Sequence, residues 1–248
     1  MPTVSQELAD FIANTTFDQL PEDVVAATKR FVYDSVGCAF GGVRTHDWGI
    51  ADKVDQDQGG NAQCTILGTG RRASVVSASF INALAVRALD YNDIYWKQDP
   101  SHPSDIIPGV WACAEHAGAS AEDVIVAIVI AYEVEMRLCE AAFPGIRERG
   151  WHHATLTAFA AAAACAKVMG LSAEKIAHSI GIAGSRHATL GCVTAGKLTM
   201  MKNTVDPMAT QAGAWAALLA AEGYEGPEHV FCGKEGLADA NGPDWKLE

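Results

Sequence analysis

The sequence predicts an all-α fold: one large helical bundle with at most one short strand. Three observations lead there. Apolar residues recur at three- and four-residue spacing along most of the 248 positions. Two runs, Val124–Tyr132 and Ala158–Ala166, are apolar or small on every side, as in helices buried all round. Helix punctuation recurs between the periodic stretches: Ser, Asp or Pro at the starts and Gly at the ends. With 49% apolar and 19% charged residues, the chain has material for an ample interior and is not a disordered segment.

In chain order, Ser5–Ala13 predicts a short helix with Leu8, Phe11 and Ile12 on one face. Pro21, followed by Glu22 and Asp23, opens a stronger one that Gly41-Gly42 ends. Its face carries Val24, Val25, Thr28, Phe31, Val32, Val36 and Phe40. A polar helix follows over His46–Asp57, and Ala62–Leu67 is the one credible strand. Ala73–Ala88 is a helix rich in Ala and Ser, which permits close packing. Ser104 is placed to cap a helix over Ile106–Ala117 that tolerates Pro108. Ser120 and Asp123 form a variant capping box for a long apolar helix that Pro144-Gly145 breaks after Phe143.

Leu156–Met169 is a helix of almost pure alanine closed by Gly170, and Ser172 caps the next. A glycine-bearing loop spans 184–202. Asp206, as cap, and Pro207, at the first position, start a helix through Leu219 to Glu222. The tail from Gly223 is turn-rich, and 233–248 is expected to be poorly structured or to lead to a further domain. The sum is a bundle of six or seven helices, read as a single helical domain over 1–248.

The net charge of −12 argues against binding nucleic acid or an anionic membrane surface. The charge is uneven. Between Arg147 and Lys202 seven basic residues face two acids, so that window is +5 and the remainder −17. It also holds His152, His153, His178 and His187. A basic island in an acidic chain suits an anionic small molecule, unless helix-surface lysines merely happen to fall there. The seven cysteines stand no closer than 26 positions apart, which leaves no zinc or iron–sulfur ligand run and reads as reduced thiols in a cytoplasmic protein. The N-terminal stretch is an acidic amphipathic helix, unlike a signal peptide, and the apolar runs are too short to span a bilayer.

One segment breaks the helical pattern. From Ala88 to Val110 the chain places Asp90, Asn92, Asp93, Asp99, His102 and Asp105 between two apolar runs. Chemistry concentrates on such irregular segments, although a solvated loop with two helix caps explains each residue singly. With His152 and His153 at one helix entry, and Lys197 and Lys202 in the later loop, three polar groups lie at helix ends and can share one end of a bundle. They suit proton transfer next to a carboxylate, which needs a near-neutral base and cations at the developing charge. A divalent metal on Asp90, Asp93, His102 and His152 competes, but no HxxH, HExxH or DxDxDG spacing supports it. His153 and His187 also have ordinary readings, one facing outward and the other donating to a carbonyl. No glycine-rich loop follows a strand, so a nucleotide fold is disfavoured.

Five blocks then carry a resemblance: SVGCAFGG (35–42), ALDYNDIYW with HPSDIIP (88–108), RGWHHATLTAFAAAAACAKVMGLS (149–172), GKLTMMK (196–202) and AALLAAEGYEGPEHVF (216–231). Together they resemble the MmgE/PrpD family of 2-methylcitrate dehydratases, cis-aconitate decarboxylases and iminodisuccinate epimerases. The resemblance implies a helical domain of a cytoplasmic, homodimeric lyase. The substrate is a small di- or tricarboxylate, with no metal or other cofactor. The family's active-site acid falls on Asp90, its histidines on His102 and His152, its loop lysine on Lys202, and Lys197 matches the GKL block.

In the expected mechanism His102, oriented by Asp90, moves the proton. Lys202, Lys197 and His152 hold carboxylates, with Asp93 and His153 also at the substrate. Dehydration of a 2-methylcitrate-like acid is the first expectation, and decarboxylation or epimerisation of a related acid the second. Ile94, Asn203 and Met208-Ala-Thr-Gln211 depart from the family's pattern. So does length: the family carries a second α/β domain, so the alternatives are a stretch of a longer protein, a partner chain that supplies that domain, a shortened protein with altered activity, or a non-catalytic binding scaffold.

Overall fold

The computed structural model describes residues 1–242 and 244–247. Ten α-helices lie among them: α1 Val4–Asn14, α2 Glu22–Gly42, α3 His46–Gln58, α4 Val75–Arg87, α5 Ile107–Ala117, α6 Ala121–Ala141, α7 Ala154–Val168, α8 Ala173–Arg186, α9 Val205–Ala221 and α10 Leu237–Asn241. The all-α reading holds. The helix count exceeds six or seven because the short polar stretches wind as well. None of these helices is long and apolar enough to cross a membrane.

Capping fixes most of the starts. Thr3 and Gln6 form a full capping box on α1, as Ser120 and Asp123 do on α6, while Ser74 and Ser172 cap α4 and α8. Two expectations change. Ser104 does not cap α5: it lies in a 3₁₀ turn over Pro103–Ile106, and its hydroxyl goes to Asp93. Pro108 is tolerated because it falls in the first turn of α5, where its missing N–H costs no helical bond. Asp206 is not the cap of α9 either. Thr204 takes that place, and Asp206 sits buried inside the first turn.

Strand structure is slight but exceeds one strand. Cys64–Thr65 (β1) pairs antiparallel with Arg72–Ala73 (β2), and Tyr95–Trp96 (β3) with Pro100–Ser101 (β4). The second ribbon folds the polar 88–105 segment back on itself. The described residues of the tail are tied back to the bundle. Leu237 is buried in α10, and the Phe143 and Lys246 amides donate to the Asp244 and Ala141 carbonyls at 2.8 Å each.

At the centre lies α7, buried along nearly its whole length, with α9, α6 and α8 packed on it and α5 alongside. Alanine makes this possible. A side chain of one carbon lets helices approach closely, and here the approach is at its limit: a Cβ on Gly213 would lie 2.5 Å from the Ala161 Cβ. The aromatic pair Phe159–Phe231, with centroids 4.9 Å apart, fills the wider gap on another side of α7. This tight frame fixes the entry of α7, where His152 and His153 stand.

Candidate active site

Three histidine rings meet at the start of α7. The His152 and His153 rings lie 3.9 Å apart between centroids, and His102, at the end of β4, lies 5.7 Å from His153. All three are buried, His102 the least so at 9% exposed. Adjacent histidines on a helix would diverge, but His153 is the N-cap of α7 and His152 precedes it, tied by its amide to the Thr189 carbonyl at 2.8 Å. The turn folds both rings inward, so the outward-facing reading of His153 does not hold.

Their partners assign complementary proton positions. Nδ1 of His102 lies 2.6 Å from the Asp93 carbonyl oxygen. A carbonyl only accepts, so Nδ1 carries the hydrogen and Nε2 keeps its lone pair. His152 is the reverse. Its Nδ1 accepts from the Ala154 amide at 3.2 Å, which leaves the hydrogen on Nε2. Burial, reinforced by the Arg87 charge, lowers His102 to about 4. Burial and the neighbouring His153 lower His152 to about 3. At neutral pH the site therefore presents one imidazole as base and one as donor.

Asp90 does not orient His102; the main chain of Asp93 does. Asp90 adopts φ +52° at the turn leaving α4, a left-handed conformation that Asp tolerates better than most residues. There its half-exposed carboxylate pairs with Arg87 on one oxygen and Lys202 on the other. Burial opposes its charge, but these two cations outweigh it and hold Asp90 at about 2. Asp93 is structural in this geometry. Its Oδ1 accepts from the Ser104 amide (3.2 Å) and hydroxyl, and its Oδ2 from Tyr132 at 2.7 Å. Burial nonetheless pushes it above the ordinary carboxylate value, those hydrogen bonds offsetting only part. Lys197 is exposed on its loop, and among the described residues it makes no hydrogen bond or ion pair with the histidines.

Residues outside the expected set complete the site. Arg87 is 3% exposed at the end of α4, with Nε 3.4 Å from Asp105 Oδ2 and 3.9 Å from Asp206 Oδ2. Asp206 Oδ1 in turn lies 3.3 Å from His153 Nε2. A continuous polar line thus runs from Lys202 through Asp90, Arg87 and Asp206 to the histidines. Burial works against the charge of Asp206, but the contact with His153 and the Arg87 guanidinium overcome it and hold the carboxyl low. Behind it, Glu135 on α6 is fully buried. It accepts from Ser101 and Thr157 at 2.5 Å each, and burial raises it to about 7.

The sequence held one signal for Arg87, the single charge on α4, and none for Glu135, since α6 also carries Glu133, Arg137 and Glu140. For Asp206 it held none, since an acid before Pro reads as a cap. His152, His153 and Asp206 each present a ligand-type atom within 4.8 Å of one another. This is not the set expected for a metal, which included Asp90 and Asp93. Asp206 is already paired with His153 and has the Arg87 guanidinium beside it, a poor place for a divalent cation. The 650 Å³ cavity between α1, α2 and α6 shares no residue with the histidine cluster.

Against this geometry, the model of the MmgE/PrpD N-terminal domain matches residues 6–248. The chain belongs to the MmgE/PrpD family. MmgE/PrpD relatives include the cis-aconitate decarboxylase-like protein oryM of Aspergillus oryzae, 28% identical over 92% of this chain and 49% of its own length. Human cis-aconitate decarboxylase is 27% identical over 93% of this chain and 49% of its own. The 2-methylcitrate dehydratase of Yarrowia lipolytica is 27% identical over 71% of this chain and 36% of its own. The chain spans about half the length of the curated MmgE/PrpD relatives it matches most fully. Those relatives are lyases by name, decarboxylases and dehydratases.

Proposed function

We propose that this chain forms the helical catalytic part of a PrpD-like lyase that moves a proton next to a carboxylate of a small di- or tricarboxylic acid. The observation that carries this reading is the complementary pair of neutral histidines. Nε2 of His102 is free to take a proton, and Nε2–H of His152 is free to donate to a developing oxyanion or a leaving group. Lys202, and Lys197 from its loop, supply positive charge for the remaining carboxylates. Asp90 positions Lys202, and Asp93 positions His102 through its carbonyl. His153 lines the substrate side of the cluster, with Asp206 beside its Nε2. The reaction uses no metal or other cofactor, and the working protein is a cytoplasmic homodimer.

Two reactions fit. Dehydration of a 2-methylcitrate-like acid uses His102 as base and a donor at the departing hydroxyl. Decarboxylation of a cis-aconitate-like acid uses a donor to protonate the carbon that loses CO₂. The relatives favour the second, since the decarboxylases align over 92–93% of this chain and the Yarrowia dehydratase over 71%. Proton NMR in deuterated buffer with 2-methylcitrate, citrate, cis-aconitate and iminodisuccinate tests the reading. Deuterium entering the carbon beside a carboxylate, with olefin formed or CO₂ lost, is expected. No exchange with any acid, alone or with a partner chain that co-purifies, would contradict it and favour a binding scaffold.

A further inference from the structure

The geometry points to a second ligand site, separate from the histidine cluster, that takes a monocarboxylate with a planar apolar body. It is a cavity of 470 Å³ where the C-terminal end of α8 meets α4 and α9, lined by Val76, Arg186, His187, Met208, Gln211 and Trp215. A volume of this order holds a small organic molecule. None of the lining residues belongs to the histidine cluster or to the Asp90–Lys202 rim.

The cavity accounts for the part of the basic island that the proposed active site leaves out. Arg186 is the last residue of α8 and His187 its C-cap. Arg186 is exposed, and among the described residues its guanidinium makes no ion pair or hydrogen bond. The expectation that His187 donates to a carbonyl does not hold: Nε2 is buried without a partner, and among the described residues neither ring nitrogen donates to a carbonyl. Burial and the Arg186 charge lower the pKa of His187, so the ring is neutral at pH 7. Arg186 is therefore the one cation lining this cavity. Its planar fork matches the two oxygens of a single carboxylate.

The rest of the wall selects the body of the ligand. Met208 and Trp215 stand seven residues apart on α9, with Gln211 between them on the same stripe. At 38% and 42% exposed, they are large apolar side chains left open beside a free cation. The Trp215 indole offers a flat face for a planar group, and Val76 closes the α4 side. Gln211 Nε2 donates to the Val76 carbonyl at 3.3 Å, and its oxygen can only accept. A second carboxylate here would meet an acceptor and apolar walls with no second cation, which is costly. The cavity thus excludes the di- and tricarboxylic acids proposed for the histidines.

Calorimetric titration of the 248-residue chain with phenylacetate tests this without relying on turnover. The probe pairs one carboxylate with one benzene ring, and a ligand of its size is expected to saturate with a Kd of about 1 mM. Neutral phenylacetamide on the wild type, and phenylacetate on Arg186→Gln, should each bind at least about tenfold more weakly, because each lacks the charged pair. Trp215→Ala should weaken the acid about two- to tenfold. Both replaced side chains are exposed, so the circular dichroism spectra should match the wild type. Lys202→Gln and saturating cis-aconitate should leave phenylacetate binding unchanged. No saturation below about 10 mM, an affinity unmoved by Arg186→Gln, or equal binding of acid and amide would overturn the proposal. So would competition by cis-aconitate with loss of binding in Lys202→Gln, which would place phenylacetate among the histidines.

Discussion

The inner wall of the site and its rim are built by opposite rules. At the inner wall, His102, His152, His153, Asp206 and Arg87 are all buried, held by main-chain groups and by each other. At the rim, Asp90 and Lys202 are partly exposed and meet across water-accessible space, and Lys197 sits on an open loop. Burial gives the inner wall its chemistry, because two histidines kept neutral can act as base and donor. It also makes every member hard to remove. Rim residues, being exposed, can be exchanged with little effect on the fold.

Substitutions sharpen that contrast, beginning with the largest effect. His102→Ala should lower turnover by about 10²- to 10⁴-fold, the usual worth of a positioned base, with the circular dichroism spectrum unchanged. Substantial residual activity would remove His102 from the mechanism. Arg87→Met leaves Asp105 and Asp206 without their shared cation and should cost about 3–5 kcal/mol in urea unfolding. A cost below about 1 kcal/mol would show that the inner charges are not coupled as drawn.

The pH dependence of stability separates the two regions by the pH window in which each loses it, not by sign. His152 is lowered to about 3 in the folded chain, so between an unfolded value of about 6.5 and that point only the unfolded state takes up its proton. Folding stability therefore falls as pH drops through this window. His152→Gln should recover up to about 1.4 kcal/mol per pH unit relative to wild type there. Glu135, raised to about 7, works in the opposite direction, being protonated first in the folded state, but is common to both proteins and cancels in the comparison. Parallel curves would place His152 in contact with solvent.

At the rim, Asp90 is lowered, so its contribution is present above the ordinary carboxylate value and lost as pH falls toward about 2. Asp90→Asn should cost no more than about 1 kcal/mol at pH 7 because the pair is half exposed. Lys197→Ala should be the mildest, within about 0.5 kcal/mol in stability, with its effect confined to KM.

The same contrast explains what the sequence made legible. The helices with strong caps and periodic faces, α1, α2, α6 and α8, could be read because their signals are local. The rim could be read too, since Asp90 and Lys202 stand in irregular polar segments. The inner wall was half visible. His102, His152 and His153 stood out by residue type, but Arg87, Glu135 and Asp206 did not, because their meaning comes from three separate helices, α4, α6 and α9, that only the fold brings together. Asp93 shows the converse: its position was marked, yet it serves His102 through its carbonyl, a role no residue type reveals.

The central claim is that His102 and His152 are neutral at pH 7 with their protons on opposite ring nitrogens. Long-range ¹H–¹⁵N correlation of ¹⁵N-histidine-labelled protein reads both charge and tautomer ring by ring, assigned with His102→Gln and His152→Gln. His102 is expected to be protonated on Nδ1 and His152 on Nε2, with neither ring cationic. A cationic ring at either position, or the same tautomer at both, would contradict it.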